Sequence, residues 1–360
     1  MCNAIIPTED TLSERIFHST IQSLELFGIY LGKRLGLYKV LEKSGAMTPG
    51  DLARAAGLHE RYAREWLEQQ AVAGFLVVEQ QHADAAMRRY VLPTEHMGVL
   101  AKDDDPAHVA PFAQMIVGIA AALPEVVDAY RNGNGVDYEK YGVDFRQGQG
   151  AINRPAFRQD LVEDWIPAIP DLHEYLTSTD GARIADVGCG EGWSTMALAS
   201  AYPKAQVVGY DLDRASIVAA DEHAASHGTT AAFYQRDAAD MAADGPFDLI
   251  LILESLHDMS QPTKALSALR SALTPQGSVV VVDERVAETF TAPGDDVERM
   301  MYGWSISHCL PVAMSDSPSE AIGTAIRPET VRNCAVTAGF TNVEFLPIEN
   351  ELFRFYRLRA

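Results

Sequence analysis

Residues 253 to 262 read LESLHDMSQP and follow FDLILIL, an apolar run of the kind that fills a buried strand. His257 and Asp258, adjacent titratable side chains where that strand runs out, are either a helix-capping accident or the working end of a site. On the first reading Asp258 caps a helix starting near Gln261 and His257 merely packs. On the second, an imidazole with a pKa of about 6.5 can take a proton from an acceptor at neutral pH. Further on, DDVERMMYGWSISHCLPVAM reads as a helix in which Met300, Trp304 and His308 recur on one face. An apolar stripe ending in histidine would form a lid over an acceptor pocket. By itself His308 reads equally well as a core histidine. With His257 and Asp258 it makes two imidazoles and a carboxylate converging from two elements, the ligand set of an open, non-haem metal site.

A second cluster lies upstream, in IADVGCGEGWST. Gly188, Gly190 and Gly192 stand between a strand and the helix after it, where glycines let backbone N–H groups and a helix N-terminus face a polar ligand. The dinucleotide fingerprint is G-x-G-x-x-G, whereas this loop is G-x-G-x-G. Asp186 precedes it, and Asp211 and Asp237 follow the next two strands. A carboxylate suits two adjacent hydroxyl donors, although Asp211 and Asp237 also read as helix caps and the glycines as a tight turn.

These residues need strands that end together. From Arg183 onward RIADVG, AQVVGYD, AAFYQRD, FDLILIL and GSVVVVDE alternate with helix-length segments, the pattern of a parallel sheet covered on both faces. NVEFLPIENELFRFYRL adds a terminal hairpin. Residues 105 to 180 read as mainly helical around the glycine-rich loop RNGNGVDYEKYGVDFRQGQG, whose aromatics would line a pocket. Residues 12 to 44 carry helical periodicity at Ile16, Leu24, Phe27, Leu31 and Leu35. A helix, a turn at Gly57, a second helix and a hairpin from Phe75 to Leu92 then make a winged helix.

Bulk properties narrow the partners. The chain has 360 residues, 47% of them apolar and 22% charged, enough for two cores. A net charge of −21 repels phosphate backbones and anionic membranes and favours cationic small molecules. The winged segment from Tyr30 to Glu95 holds nine Lys/Arg against eight Asp/Glu, no basic face for nucleic acid, so dimer packing is the expectation there. Cys2, Cys189, Cys309 and Cys334 lie far apart, against a disulfide framework or structural zinc. With neither a signal-peptide pattern nor an apolar run of about 18 to 20 residues, a soluble, cytoplasmic protein is expected.

The glycine loop, Asp186, Asp211, Asp237 and the terminal hairpin together resemble the class I S-adenosylmethionine-dependent methyltransferases over residues 180 to 360. The resemblance implies an α/β, Rossmann-like sheet of order 3-2-1-4-5-7-6 with the ligand over the carboxyl strand ends. It places Gly188 and Gly190 at the methionine moiety, Asp211 with Leu212 at the ribose, Asp237 with Ala238 at the adenine, and Asp186 and Glu254 in the same cofactor site. The implied organisation is a helical and winged-helix dimerisation domain over 1–105, a helical linker and pocket segment over 106–180, and a methyltransferase domain over 181–360 with a lid insertion at 285–325. The whole resembles winged-helix O-methyltransferases, in which the His of a His-Asp pair deprotonates an acceptor hydroxyl.

With His308 in the lid, the chain also looks like bacterial metal-dependent C-methyltransferases that methylate C3 of 2-oxo acids on the way to β-methyl amino acids. That likeness implies His257, His308 and Asp258 around a transition metal (Fe, Zn, Mn or Co), which stabilises the enolate of a bound 2-oxo acid. Arg146, or else Arg154, would bind the substrate carboxylate and Trp304 would line the pocket. The acidic charge makes 5-guanidino-2-oxopentanoate the first expectation, ahead of phenylpyruvate and 4-methyl-2-oxopentanoate. Asp137, Glu139, Asp144 or Glu14 would supply the carboxylate for the guanidinium. The rival expectations are a metal-free O-methyltransferase with His257 as general base, a winged-helix regulator that senses the cofactor, and a cofactor-binding fold recruited for a non-methylating rearrangement.

Overall fold

The computed structural model describes residues 9–79, 81 and 84–360; Cys2 and part of the expected wing lie outside them. The chain forms two compact units, one of residues 1–117 with 147–155 and one of 118–146 with 156–360, so the helical segment 106–180 is shared between them.

In the first unit a long helix, Glu9–Arg34, stops where Gly36 takes φ 69°, and Leu37–Ser44 follows as a separate helix. Pro49–Ala56 starts on a capping box: the Thr48 hydroxyl accepts from Asp51 N–H while the Asp51 carboxylate accepts from Thr48 N–H. Gly57, at φ 67°, makes the turn into Glu60–Val72. Strands β1 (Val77–Val78) and β2 (Tyr90–Val91) pair antiparallel as a short wing. Leu41, Leu52, Leu67, Trp66 and Tyr38 fill the core between these elements. On Glu9–Arg34 the stripe of Ile16, Leu24, Phe27 and Leu31 is exposed.

The second unit is built on a seven-stranded sheet. Its strands are β3 (Arg183–Val187), β4 (Gln206–Asp211), β5 (Ala232–Gln235), β6 (Phe247–Leu253), β7 (Leu273–Glu284), β8 (Asn342–Phe345) and β9 (Phe353–Arg359). Their order, β5-β4-β3-β6-β7-β9-β8, is the expected 3-2-1-4-5-7-6 when counted from β3. The first five are parallel and the terminal hairpin is antiparallel. Period-two alternation explains why β6 and β7 are apolar throughout: Ile250, Ile252, Val279 and Val281 enter one core, Leu249, Leu251, Val280 and Val282 the other. Each such side chain contributes about 1.5–3 kcal/mol by burial, which the sheet secures only with both faces covered. Parallel direction then delivers the ends of β3, β4, β6 and β7 to one edge.

Two expectations change here. The helix Pro111–Asn132, with mean hydropathy 1.5, is long and apolar enough by length and composition to cross a membrane, contrary to the sequence reading; Ile119, Ala122, Val126 and Ala129 on it are buried within the fold. The lid is not one regular helix either. Asp296–Trp304 passes into a π-helical turn, Ser305–Cys309, and then Leu310–Ala313. Pro311 explains the change, because it has no N–H for the carbonyls one turn before it. Leu310 N–H reaches back to Ser305 O, and the two carbonyls left over are taken by tyrosines. Tyr130 donates to Ile306 O at 3.1 Å and Tyr141 to Ser307 O at 3.0 Å.

Candidate active site

The loop from Gly188 to Gly192 leaves β3 with its three glycines at φ 75°, 52° and 81°. A Cβ on Gly188 would lie 2.4 Å from Ser255 Oγ, so contact as well as dihedral excludes a side chain. Gly188 and Cys189 N–H donate to Tyr210 O, and Gly190 N–H donates to Asp211 Oδ2 at 2.8 Å. Asp211 Oδ1 accepts from Asp213 N–H at 2.8 Å. Each oxygen keeps acceptor capacity for a hydroxyl. Burial raises the Asp211 pKa to about 6, against the pull of those two N–H donors.

Asp186 is committed to the fold: its Oδ2 accepts from Ser194 and Thr195 hydroxyls, both at 2.6 Å, bracing loop to helix. Asp237 caps the 3-10 turn Ala238–Ala243 through Ala239 N–H, with Ala238 buried behind it, while Leu212 is exposed. Asp213, not Asp211, caps the helix after β4. Neither expected arginine is available for a substrate carboxylate as placed. Arg146 Nε donates to Asp213 Oδ2 at 2.6 Å, which ties it to the donor end of the site, and burial of Asp213 is outweighed so that its pKa stays below the usual value. Arg154 grips Asp104 with two bonds, 2.7 and 2.9 Å, in the first unit. Both are bidentate pairs, which favour a fixed partner.

At the end of β6, Glu254 turns the chain with φ 50°, a strained value for a residue with a Cβ. His257 follows in the turn Leu256–Asp258 and is buried. Its Nδ1 donates to Asp283 Oδ1 at 2.6 Å, and Asp283 is itself fully buried at the end of β7. Its Nε2 lies 3.4 Å from Asp258 Oδ1, an atom buried with no hydrogen-bond partner. The Gln261 helix has no side-chain cap, so Asp258 is not spent as one. Burial alone would favour a neutral ring, but Asp283 and Asp258 together hold the His257 pKa well above its ordinary value. Glu284, next to Asp283, is driven the other way, toward the neutral acid, by burial and by Glu254.

The lid brings His308 into this neighbourhood, buried and neutral, its pKa lowered by burial to about 4. Its Nε2 is buried without a hydrogen-bond partner and its Nδ1 lies 3.4 Å from Cys309 Sγ. Phe145 stacks on the ring at 3.9 Å, Tyr141 meets its edge at 4.4 Å and Tyr138 at 5.7 Å. The segment 138–146 thus walls the site from His308 to Asp213. The expected stripe of Met300 and Trp304 is only half-buried; Met301, Ser305, His308 and Cys309 are the residues turned inward, because the π turn shifts the helical register. One atom each from His257, Asp258 and Cys309 lie within 4.8 Å of one another, as do atoms of His257, Asp283 and Glu284. Sequence reasoning passed over Asp283, Glu284 and Cys309. Two acids closing the apolar run VVVV were the available signal for the first two; nothing local marked the cysteine.

Comparison with known proteins agrees with the sheet and with the wing. Residues 178–320 match the methyltransferase domain family, and residues 24–102 match the Rv2258c-like winged HTH domain family. The ubiquinone biosynthesis O-methyltransferase of Methylococcus capsulatus is 35% identical over 105 residues, 29% of this chain and 44% of that protein. The malonyl-[acyl-carrier protein] O-methyltransferase of Halalkalibacterium halodurans is 31% identical over 98 residues, 26% of this chain and 36% of that protein. The chain thus aligns with less than half the length of these relatives. Mitomycin 7-O-methyltransferase MmcR superposes with a TM-score of 0.69 at 17% identity over 97% of this chain and 98% of its own. Human N-acetylserotonin methyltransferase, in complex with its S-adenosylmethionine, superposes at 0.67 and 18% identity over 99% of both. The chain therefore carries a methyltransferase domain, preceded by a winged helix-turn-helix domain, and has the fold of the methyltransferases named.

Proposed function

We propose that the chain transfers the methyl group of S-adenosylmethionine to C3 of a 2-oxo acid, as a dimer whose contact includes the exposed stripe of helix Glu9–Arg34. One observation carries the acceptor reading: Asp258 Oδ1, 3.4 Å from His257 Nε2, and His308 Nε2 are both buried without hydrogen-bond partners. Leaving two such atoms unmade costs about 1–3 kcal/mol each, which a bound cation together with its substrate recovers. The donors therefore fit a transition metal, with His257, Asp258 and a lid residue to hold it. When bound, the metal would supply Lewis-acid stabilisation of the charge that develops as a C3 proton leaves.

The chain's own residues do the rest. Asp283 fixes the His257 ring through Nδ1 and so aims Nε2 at Asp258. Phe145, Tyr141 and Tyr138 keep water from His308. Asp211 accepts from the donor's ribose hydroxyls. Asp137 and Glu139 are exposed, so the carboxyl for a cationic substrate such as 5-guanidino-2-oxopentanoate is Glu284 beside His257, which an adjacent guanidinium would return from the neutral acid to the carboxylate.

A second reading has its own support. The 2.6 Å His257–Asp283 pair is the arrangement of a general base, and the two relatives named above, with the structural neighbour MmcR, are O-methyltransferases. Metal analysis of purified protein and a panel of 2-oxo acids and phenols separate the two. On the first reading His257→Ala and His308→Ala each abolish turnover while S-adenosylhomocysteine still binds. A metal-free His308→Ala protein that methylates a hydroxyl would leave only the second.

A further inference from the structure

Resting on the metal reading above, we infer that Cys309 Sγ, rather than His308 Nε2, is the third protein ligand beside His257 and Asp258. The distances favour it: His257, Asp258 and Cys309 each offer an atom within 4.8 Å of the other two, and His308 contributes none to that set. The π turn is what makes a cysteine eligible. In a regular helix neighbouring residues diverge by about 100°, but here His308 and Cys309 are both buried.

The setting of His308 argues against its ring swinging in. It lies nearly flat on Phe145, 3.9 Å away with planes 21° apart, and edge-on to Tyr141, so moving Nε2 toward Asp258 breaks both contacts. As placed, its Nδ1 lies 3.4 Å from Cys309 Sγ, so the tautomer with its proton on Nδ1 donates to the sulfur. A ring N–H donated to a ligating sulfur is the outer partner that orients and tunes such a ligand. His308 Nε2 is then left as an acceptor toward the substrate. On ligation the Sγ–H and His257 Nε2–H protons pass to solvent, three Lewis bonds form to the cation from Cys309, His257 and Asp258, and no electrons are transferred. A thiolate in the set favours zinc, iron or cobalt over magnesium or manganese.

The test is metal binding, not turnover. Chelator-stripped full chain is titrated with Co(II) without oxygen and watched for sulfur-to-cobalt charge transfer in the near ultraviolet. The expected result is one cobalt per chain with that band. Zinc-loaded wild type should show one sulfur at about 2.3 Å by X-ray absorption. Cys309→Ser should lose the band and weaken affinity about tenfold or more, at least the loss caused by removing an outer partner; His308→Ala should keep the band. Cobalt bound with no sulfur signal, or a band that survives Cys309→Ser, overturns the assignment and leaves the metal reading standing. Wild type that takes up no cobalt removes both. If Cys309→Ser fails to fold, X-ray absorption on the wild type decides alone.

Discussion

Asp211→Asn tests the donor site through two independent readouts. The wild-type carboxylate spends one lone pair of each oxygen on Gly190 and Asp213 N–H, and offers the rest to the ribose hydroxyls. Asparagine keeps a single acceptor oxygen, so at least one charge-assisted bond is lost. At about 2–3 kcal/mol this weakens S-adenosylhomocysteine binding roughly 30- to 150-fold. The second readout is pH. Burial raises the Asp211 pKa from 3.8 to about 6, and only the ionised form accepts two hydroxyls, so affinity is full above that value and is lost as pH falls through it. Between about pH 7 and pH 5 the wild-type dissociation constant should rise about tenfold, and that of Asp211→Asn should stay flat. Glu191, lifted to about 7 by burial despite the nearby Arg146, titrates in the same range, which makes Glu191→Gln the control. Misfolding does not mimic the result. A carboxyl with a raised folded pKa costs the ligand-free protein, as pH rises from 3.8 through about 6, at most about 3 kcal/mol, and relief of that cost at pH 8 offsets the one backbone N–H bond that the asparagine amide nitrogen cannot accept, so Asp211→Asn should remain folded there. Calorimetry across pH is the assay. A flat wild-type profile, or a slope that persists in Asp211→Asn, would show that Asp211 is not the ribose carboxylate.

Asp283→Asn should keep the ring of His257 in place but remove the charge that holds its proton, and lower turnover by at least about tenfold with S-adenosylhomocysteine affinity unchanged, read by steady-state rates and calorimetry. Tyr141→Phe strips the donor from Ser307 O, the carbonyl that Pro311 leaves without a helical partner, and should destabilise the second unit by about 1–3 kcal/mol in a denaturant melt; an unchanged midpoint would mean that water replaces the hydroxyl. Gly188→Ala places a Cβ 2.4 Å from Ser255 Oγ at φ 75° and should abolish cofactor binding; adding Ser255→Gly should restore part of it, since the contact is relieved and about 1–2 kcal/mol of backbone strain remains.

Order along the chain was enough for everything that depends on near neighbours. Period-two apolar runs on β3 to β7, alternating with helices, imply a parallel sheet because no other packing buries both faces, and the parallel sheet alone predicts that Gly188, Asp211 and His257 meet at one edge. Gly57 announced its turn for the same local reason. Tertiary structure decided the partners. His257 meets Asp283 only because β6 and β7 end side by side, and Arg146 meets Asp213 only because the helix Gly142–Arg158 reaches the end of β4; an ion pair between distant residues leaves no trace in spacing. The lid shows the limit most clearly: an ideal helical wheel put Met300, Trp304 and His308 on one face, whereas Pro311, with Tyr130 and Tyr141 to satisfy the carbonyls it strands, turns the helix so that Cys309 joins His308 inside. Helical periodicity assumes an unbroken hydrogen-bond ladder, and what repaired this one came from residues far away in the sequence.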